Sequence, residues 1–234
     1  MITTTSSASE VYNAAKKIKG HKVFFLDVDH TLIWPTSLTL RTNQHHHMID
    51  EIKKNILDAA QYVQMIGHWR LQRNVALTDV NWPVMIEEIK KESEVYGLTR
   101  VETGEFGPIP SMEKWRINEL YHLGIIFSEN KDMESISTNQ GPSYHKGCLL
   151  TGKKTKLHTL KIVMNFFRHS SQSIVMVDDK IEEIKSIQNF CMKNNIGFTG
   201  FLWKMPLMDS CPATCALAEK QKQSLWANYK WIEC

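Results

Sequence analysis

Apolar and polar residues follow two periods along this chain. Val23–Leu26 and Ile174–Val177 are short, unbroken apolar runs. That length and continuity suit strands buried on both faces of a parallel sheet. Further strands are predicted near residues 73–77, 147–151 and 196–203, the last with Phe198, Gly200 and Leu202 alternating against Thr199, Phe201 and Trp203. Between the strands the period lengthens. From Met48 to Ile66 apolar residues recur at Ile49, Ile52, Ile56, Leu57, Ala60, Val63 and Ile66, the spacing of an amphipathic helix, with Gly67 as cap or interruption. Other helices are predicted over Val11–Lys19 (ended by Gly20), Val84–Tyr96 (with Pro83 in its first turn), Glu113–Tyr121, Leu157–Phe167, Ile181–Lys193 and Ala213–Trp231. Strands alternating with helices predict a doubly wound α/β fold, a predominantly parallel sheet with helices on both faces.

The remainder reads as connections. Trp34-Pro35-Thr36-Ser37 breaks regular structure, and the glycines and prolines of Gly97–Met112 predict a loop. Leu123–Ser128 and Gly147–Thr151 read as two strands of a hairpin-like excursion. Met1–Glu10 is rich in Ser and Thr and lacks the apolar core of a signal peptide, so residues 1–20 are expected to be a loose lead-in. This predicts one domain over residues 21–234 with small insertions at about 34–48 and 98–147, and no large cap. Such partial cover favours a larger substrate over a sealed metabolite. The abrupt end after Cys234 is what a fragment of a longer protein would show.

Composition narrows the classes. In 234 residues, 42% hydrophobic and 23% charged content describes a soluble globular chain. A net charge of +3 without a dense basic run argues against nucleic acid. No apolar stretch reaches the ~18 residues of a membrane span. Cys148, Cys191, Cys211, Cys215 and Cys234 are scattered and odd in number, which suits reduced thiols in a cytosol-like compartment. None is followed by the Gly-rich cradle of a cysteine phosphatase, and Cys211 with Cys215 lacks a second ligand pair. His45-His46-His47 cannot converge on one ion from a helix, so a solvated helix start is preferred.

Candidate chemistry sits where the apolar runs end. Asp27 and Asp29 follow the first run, and residues two apart on extended backbone face the same way. Asp178 and Asp179 follow the other. Open α/β sheets place ligands beyond the carboxyl ends of their strands. If the two strands were neighbours, about 4.8 Å apart, anions ~4 Å apart would repel by about 4 kcal/mol at an effective dielectric near 20. A hard cation between them resolves the repulsion, and Mg²⁺ is the economical choice.

Asp27-Val28-Asp29-His30-Thr31 resembles the first motif, DxDx(T/V), of the haloacid dehalogenase (HAD) superfamily, and Val177-Asp178-Asp179 resembles its fourth. The resemblance covers about residues 22–205 and implies a Rossmann-like fold, an Mg²⁺ requirement and phosphoryl transfer. Asp27 would be the nucleophile that becomes an aspartyl phosphate, and Asp29 the general acid and base, its pKa raised by neighbouring negative charge. Asp27, Asp29, Asp178 and Asp179 would surround the metal. The second motif, a Ser or Thr ending the second strand, falls on Thr78, preferred over Ser128 because a helix follows it at once. Thr78 and Asp79 are also good helix caps. The third, a Lys near a helix start, falls on Lys156, with Lys154 as the alternate; a Lys cluster there opposes the helix dipole, which favours a functional reason. Residues after Ile33 match the family's mobile flap, with Trp34 either on substrate or in the core.

Leu71-Gln72, Ala76-Leu77-Thr78 and Val177–Lys180 also resemble a HAD subgroup of intracellular bacterial pathogens, some of whose members are secreted phosphotyrosine phosphatases. That implies a phosphorylated substrate, small or protein-borne, and a location in the cytoplasm or, after export, in a host cytosol. Two other classes remain: a catalytically silent HAD-fold binding module, and an interaction protein using the hairpin insertion and the aromatic last helix.

Overall fold

The computed structural model describes residues 1–40, 58–137, 140–167, 173–205 and 216–233. The predicted helix start at His45–His47, most of the 48–66 helix, Cys211, Cys215 and Cys234 lie outside them.

The seven-stranded main sheet contains β1 (Ile2–Thr5), β2 (Lys22–Leu26), β5 (Glu94–Thr99), β6 (Ser143–His145), β7 (Cys148–Leu150), β8 (Ser173–Asp178) and β9 (Gly197–Trp203). Their order across the sheet is β1-β9-β8-β2-β5-β7-β6, and every pairing is parallel except β6 with β7. A second sheet pairs β3 (Ile33–Pro35) with β4 (Val75–Leu77). Among the described residues the helices are α1 (Ala8–Lys16), α2 (Ala59–Gln72), α3 (Trp82–Lys90), α4 (Met112–His122), α5 (Lys156–Val163), α6 (Ile181–Lys193) and α7 (Ala216–Asn228). The α/β class with a mostly parallel central sheet is as the periodicity predicts.

β2 is central because all five of its residues are buried. Alternation splits them between two layers. Val23 and Phe25 join Tyr96, Leu98, Ile174 and Met176 in a core with Leu160 and Val163 of α5 and Ile187 and Cys191 of α6. Phe24 instead shares a small cavity with Ala15 of α1 and Ile89 of α3. Each such apolar side chain contributes roughly 1.5–3 kcal/mol when fully buried. Helices thus cover both faces, and the carboxyl edge of the strands is left to polar residues.

Contacts divide the chain into two compact units: residues 1–33, 77–103 and 113–206, and residues 34–76, 104–112 and 207–234. Within the second, Gln221 of α7 is fully buried. Its amide accepts from Thr39 at 2.6 Å and donates to Ser37 at 2.9 Å and to the Ile232 carbonyl at 2.7 Å. Trp231 meets Trp69 of α2 edge to face and is buried, whereas Trp226 and Tyr229 remain partly exposed. The second unit begins at Trp34, where the sequence also starts an insertion, but it draws in three separated segments.

Five expectations need correction. Residues 1–20 are no loose lead-in: β1 completes the sheet against β9, and α1 is capped by Ser7, whose side chain accepts from Glu10 N. The β-branched Thr3, Thr4 and Thr5 suit that edge strand. Residues 75–77 form a strand outside the main sheet. Residues 94–99, divided in the prediction between a helix end and a loop, form β5, because α3 stops at Lys90 and the buried Val95–Thr99 run inserts beside β2. Residues 123–128 form no strand; the hairpin joins β6 to β7 through Lys146 and Gly147, both at positive φ as a tight hairpin turn requires. Gly67 neither caps nor interrupts α2. A Cβ there would lie 2.5 Å from Pro108 Cδ and 2.9 Å from the Phe106 carbonyl oxygen, so close packing, not a helix end, asks for glycine.

Candidate active site

The parallel pairing of β2 with β8 runs to Leu26 opposite Val177, and Asp27 N extends the ladder to Val177 O at 2.9 Å. Asp27 and Asp178 are therefore neighbours at one sheet edge. Ligand oxygens of Asp27, Asp178 and Asp179 lie within 4.8 Å of one another, a group that could hold a metal ion.

Lys156 opens α5, where Thr155 is the N-cap and accepts from His158 N. Its ammonium is buried and donates to Asp27 Oδ1 at 2.5 Å and to Asp178 Oδ2 at 2.6 Å, bridging the two strand ends. Lys154, the alternate, is exposed. Thr31 donates to the other Asp27 oxygen at 3.0 Å, so both oxygens of that carboxylate are held. Asp178 Oδ1 accepts from Lys180 N at 2.9 Å.

The electrostatics follow from burial. Desolvation first, and the Asp27 charge second, raise the pKa values of Asp178 and Asp179. Burial opposes the charge on Lys156, but Asp27 and Asp178 outweigh it and hold its pKa above the usual lysine value. Three clustered carboxylates with one internal ammonium retain excess negative charge, and hard oxygen donors match a hard divalent cation.

Two predicted residues stand elsewhere. Asp29 is not among the three clustered carboxylates; its Oδ2 accepts from Arg116 Nη2 at 2.6 Å. That partner is a cation, the buried Arg116 guanidinium. His30, the next residue, adopts φ 64°, Leu32 N and Ile33 N fold back onto Val28 O, and Asp29 bridges Ile33. Thr78 follows β4, in the small sheet, and its hydroxyl is committed to the Thr31 carbonyl at 2.5 Å. β5, which pairs with β2 on the side away from β8, ends in the buried Thr99 and so brings a hydroxyl residue to the same carboxyl edge. Ser128 accepts from Val95 N near the opposite end of β5. Trp34 is buried.

Two residues were missed from sequence. Thr99 ends a six-residue strand, Glu94-Val95-Tyr96-Gly97-Leu98-Thr99, buried from Val95 on, whose β-branched and aromatic content is a strand signal. Arg116 stands one turn before Leu120 and next to Ile117 on the buried face of α4, and a charge in an apolar helical phase asks for a partner.

No helix among the described residues is long and apolar enough to cross a membrane. No solved structure matches the chain. It is 21% identical to an uncharacterized protein of Rickettsia prowazekii (strain Madrid E), over 95% of this chain and 84% of the relative. A family model described as a protein of unknown function matches residues 4–227, and on that match the chain belongs to the DUF2608 family.

Proposed function

We propose that this chain is a Mg²⁺-dependent phosphatase with a Rossmann-like, HAD-type core that hydrolyses phosphomonoesters through an aspartyl phosphate. The observation that carries the reading is the Asp27–Lys156–Asp178 bridge across adjacent parallel strand ends, with Asp179 alongside. Asp27, Asp178 and Asp179 would hold the cation, which when bound neutralises their charge and polarises a phosphoryl oxygen.

The protein groups then divide the work. Lys156 and Thr31 fix both oxygens of Asp27 and so orient it for in-line attack on phosphorus. As the Asp27–phosphorus bond forms, the ester oxygen leaves with a proton from Asp29. Asp29 then takes a proton from water, the water oxygen attacks phosphorus, and the Asp27 carboxylate is released. Lys156 and the Thr99 hydroxyl, which replaces Thr78 in this role, supply charge and hydrogen bonding to the transferring group.

The test is hydrolysis of a chromogenic aryl phosphate by wild type and Asp27→Asn, each with Mg²⁺ and with EDTA. Turnover that needs the cation and disappears in Asp27→Asn is expected. Turnover surviving in Asp27→Asn, or none across a panel of phosphotyrosine peptides and small phosphomonoesters, would reject the reading. Both substrate classes belong in the panel. The sequence favours phosphoproteins on the small size of its insertions and on the resemblance to phosphotyrosine phosphatases of bacterial pathogens.

A further inference from the structure

Arg116 has no part in the mechanism above, yet it is a charged side chain only 1% exposed. Its fork is held at both ends: Nη2 donates to Asp29 at 2.6 Å and Nη1 to Glu119 Oε2 at 2.6 Å. Its guanidinium carbon lies 4.8 Å from the centroid of the Trp115 ring. Burying such a charge costs several kcal/mol unless it is well paired, so the two carboxylates account for its presence energetically. They do not account for why one of them is Asp29.

The geometry around Asp29 gives the reason. A carboxylate two residues beyond Asp27 would join the Asp27–Asp178–Asp179 group if the backbone stayed extended. Instead Arg116 takes the carboxylate, which is not among the three that cluster. A guanidinium fork fixes direction as well as charge, whereas an ammonium fixes only charge.

We propose that Arg116 is a positioning residue that holds the Asp29 carboxyl group apart from the Asp27–Asp178–Asp179 cluster, oriented to exchange its proton with the leaving oxygen and then with water. This rests on the phosphatase reading. Arg116 makes and breaks no bond; it sorts two carboxylates of one short motif into different tasks.

The test compares two esters with Mg²⁺ present: 2,4-dinitrophenyl phosphate, whose leaving group needs no proton, and an alkyl phosphate, whose leaving group does. In Arg116→Lys, alkyl ester kcat should fall on the order of 10²-fold, while the burst of dinitrophenolate stays within about 3-fold. In an Asp29→Asn background the same substitution should cost nothing further on the dinitrophenyl ester. Glu119→Gln, which loosens the other arm of the fork without touching Asp29, should show the same asymmetry at smaller size and covers a failure of Arg116→Lys to fold. Equal losses on both esters in the folded variants would overturn the proposal and leave the phosphatase reading intact. Wild type that cleaves neither ester would overturn the phosphatase reading and this proposal with it.

Discussion

Lys156→Met is the most informative stability perturbation. The methionine keeps much of the stem volume and the helix propensity at the start of α5. What it removes is the ammonium that donates to Asp27 at 2.5 Å and to Asp178 at 2.6 Å from a buried position. Truncating one partner of a buried ion pair costs about 3–5 kcal/mol, because the surviving charge has lost its compensation. Here the survivors also face each other. Two unit charges 4.8 Å apart, the widest separation within the group, repel by about 3.5 kcal/mol at an effective dielectric of 20. Urea denaturation near neutral pH in EDTA should therefore show a loss of about 3–5 kcal/mol. Adding Mg²⁺ should stabilise the variant more than it stabilises wild type, since binding to the folded state alone raises stability by linkage. A loss under about 1 kcal/mol in EDTA, the scale of an exposed ion pair, would refute the reasoning. So would a response to Mg²⁺ no larger than that of wild type.

Three further outcomes follow from particular residues. Burial and the Asp27 charge raise Asp178 to about 6 and Asp179 to about 8, above the ~3.9 of an unfolded Asp. The folded state therefore binds these protons more tightly, so their stabilising contribution is complete below about pH 4 and is lost as pH rises through about 6 and about 8. In EDTA the urea midpoint should fall behind that in Mg²⁺ across this window, and a gap that narrows as pH rises would contradict the assignment. Gly67→Ala should destabilise by roughly 1–3 kcal/mol, because its Cβ meets Pro108 Cδ at 2.5 Å; a gain of about 1 kcal/mol, as helix propensity alone gives, would show that the packing yields. Thr99→Val should lower kcat on the order of 10²-fold by removing one donor to the transferring group. Thr78→Val should cost about 1 kcal/mol of stability, from its bond to the Thr31 carbonyl, with turnover nearly kept; the reverse pattern would restore Thr78 to the site.

Local pattern carried much of this protein. The unbroken runs before Asp27 and Asp178 suited doubly buried strands, and their carboxylates were legible because open α/β sheets place ligands beyond the carboxyl ends of such strands. Lys156 and the Ile181–Lys193 helix were legible for the same kind of reason, a period of 3.6 beginning after a break. Partners far apart in sequence were not. Which strand lies beside β2 depends on how crossovers wind, and a short run such as Val75–Leu77 buries its side chains equally well in a small separate sheet. Hence Thr78 follows a strand of the small sheet, and the hydroxyl residue that ends β5 in the main sheet is Thr99. Arg116 reaches Asp29 across 87 positions and Lys156 reaches Asp27 across 129. Ion pairs leave no periodic trace, and no composition rule foretells the left-handed His30 that follows Asp29. The sequence by itself determined which residues end the strands; only the tertiary structure decided which of them meet, because contact between distant charges is set by strand order and not by spacing along the chain.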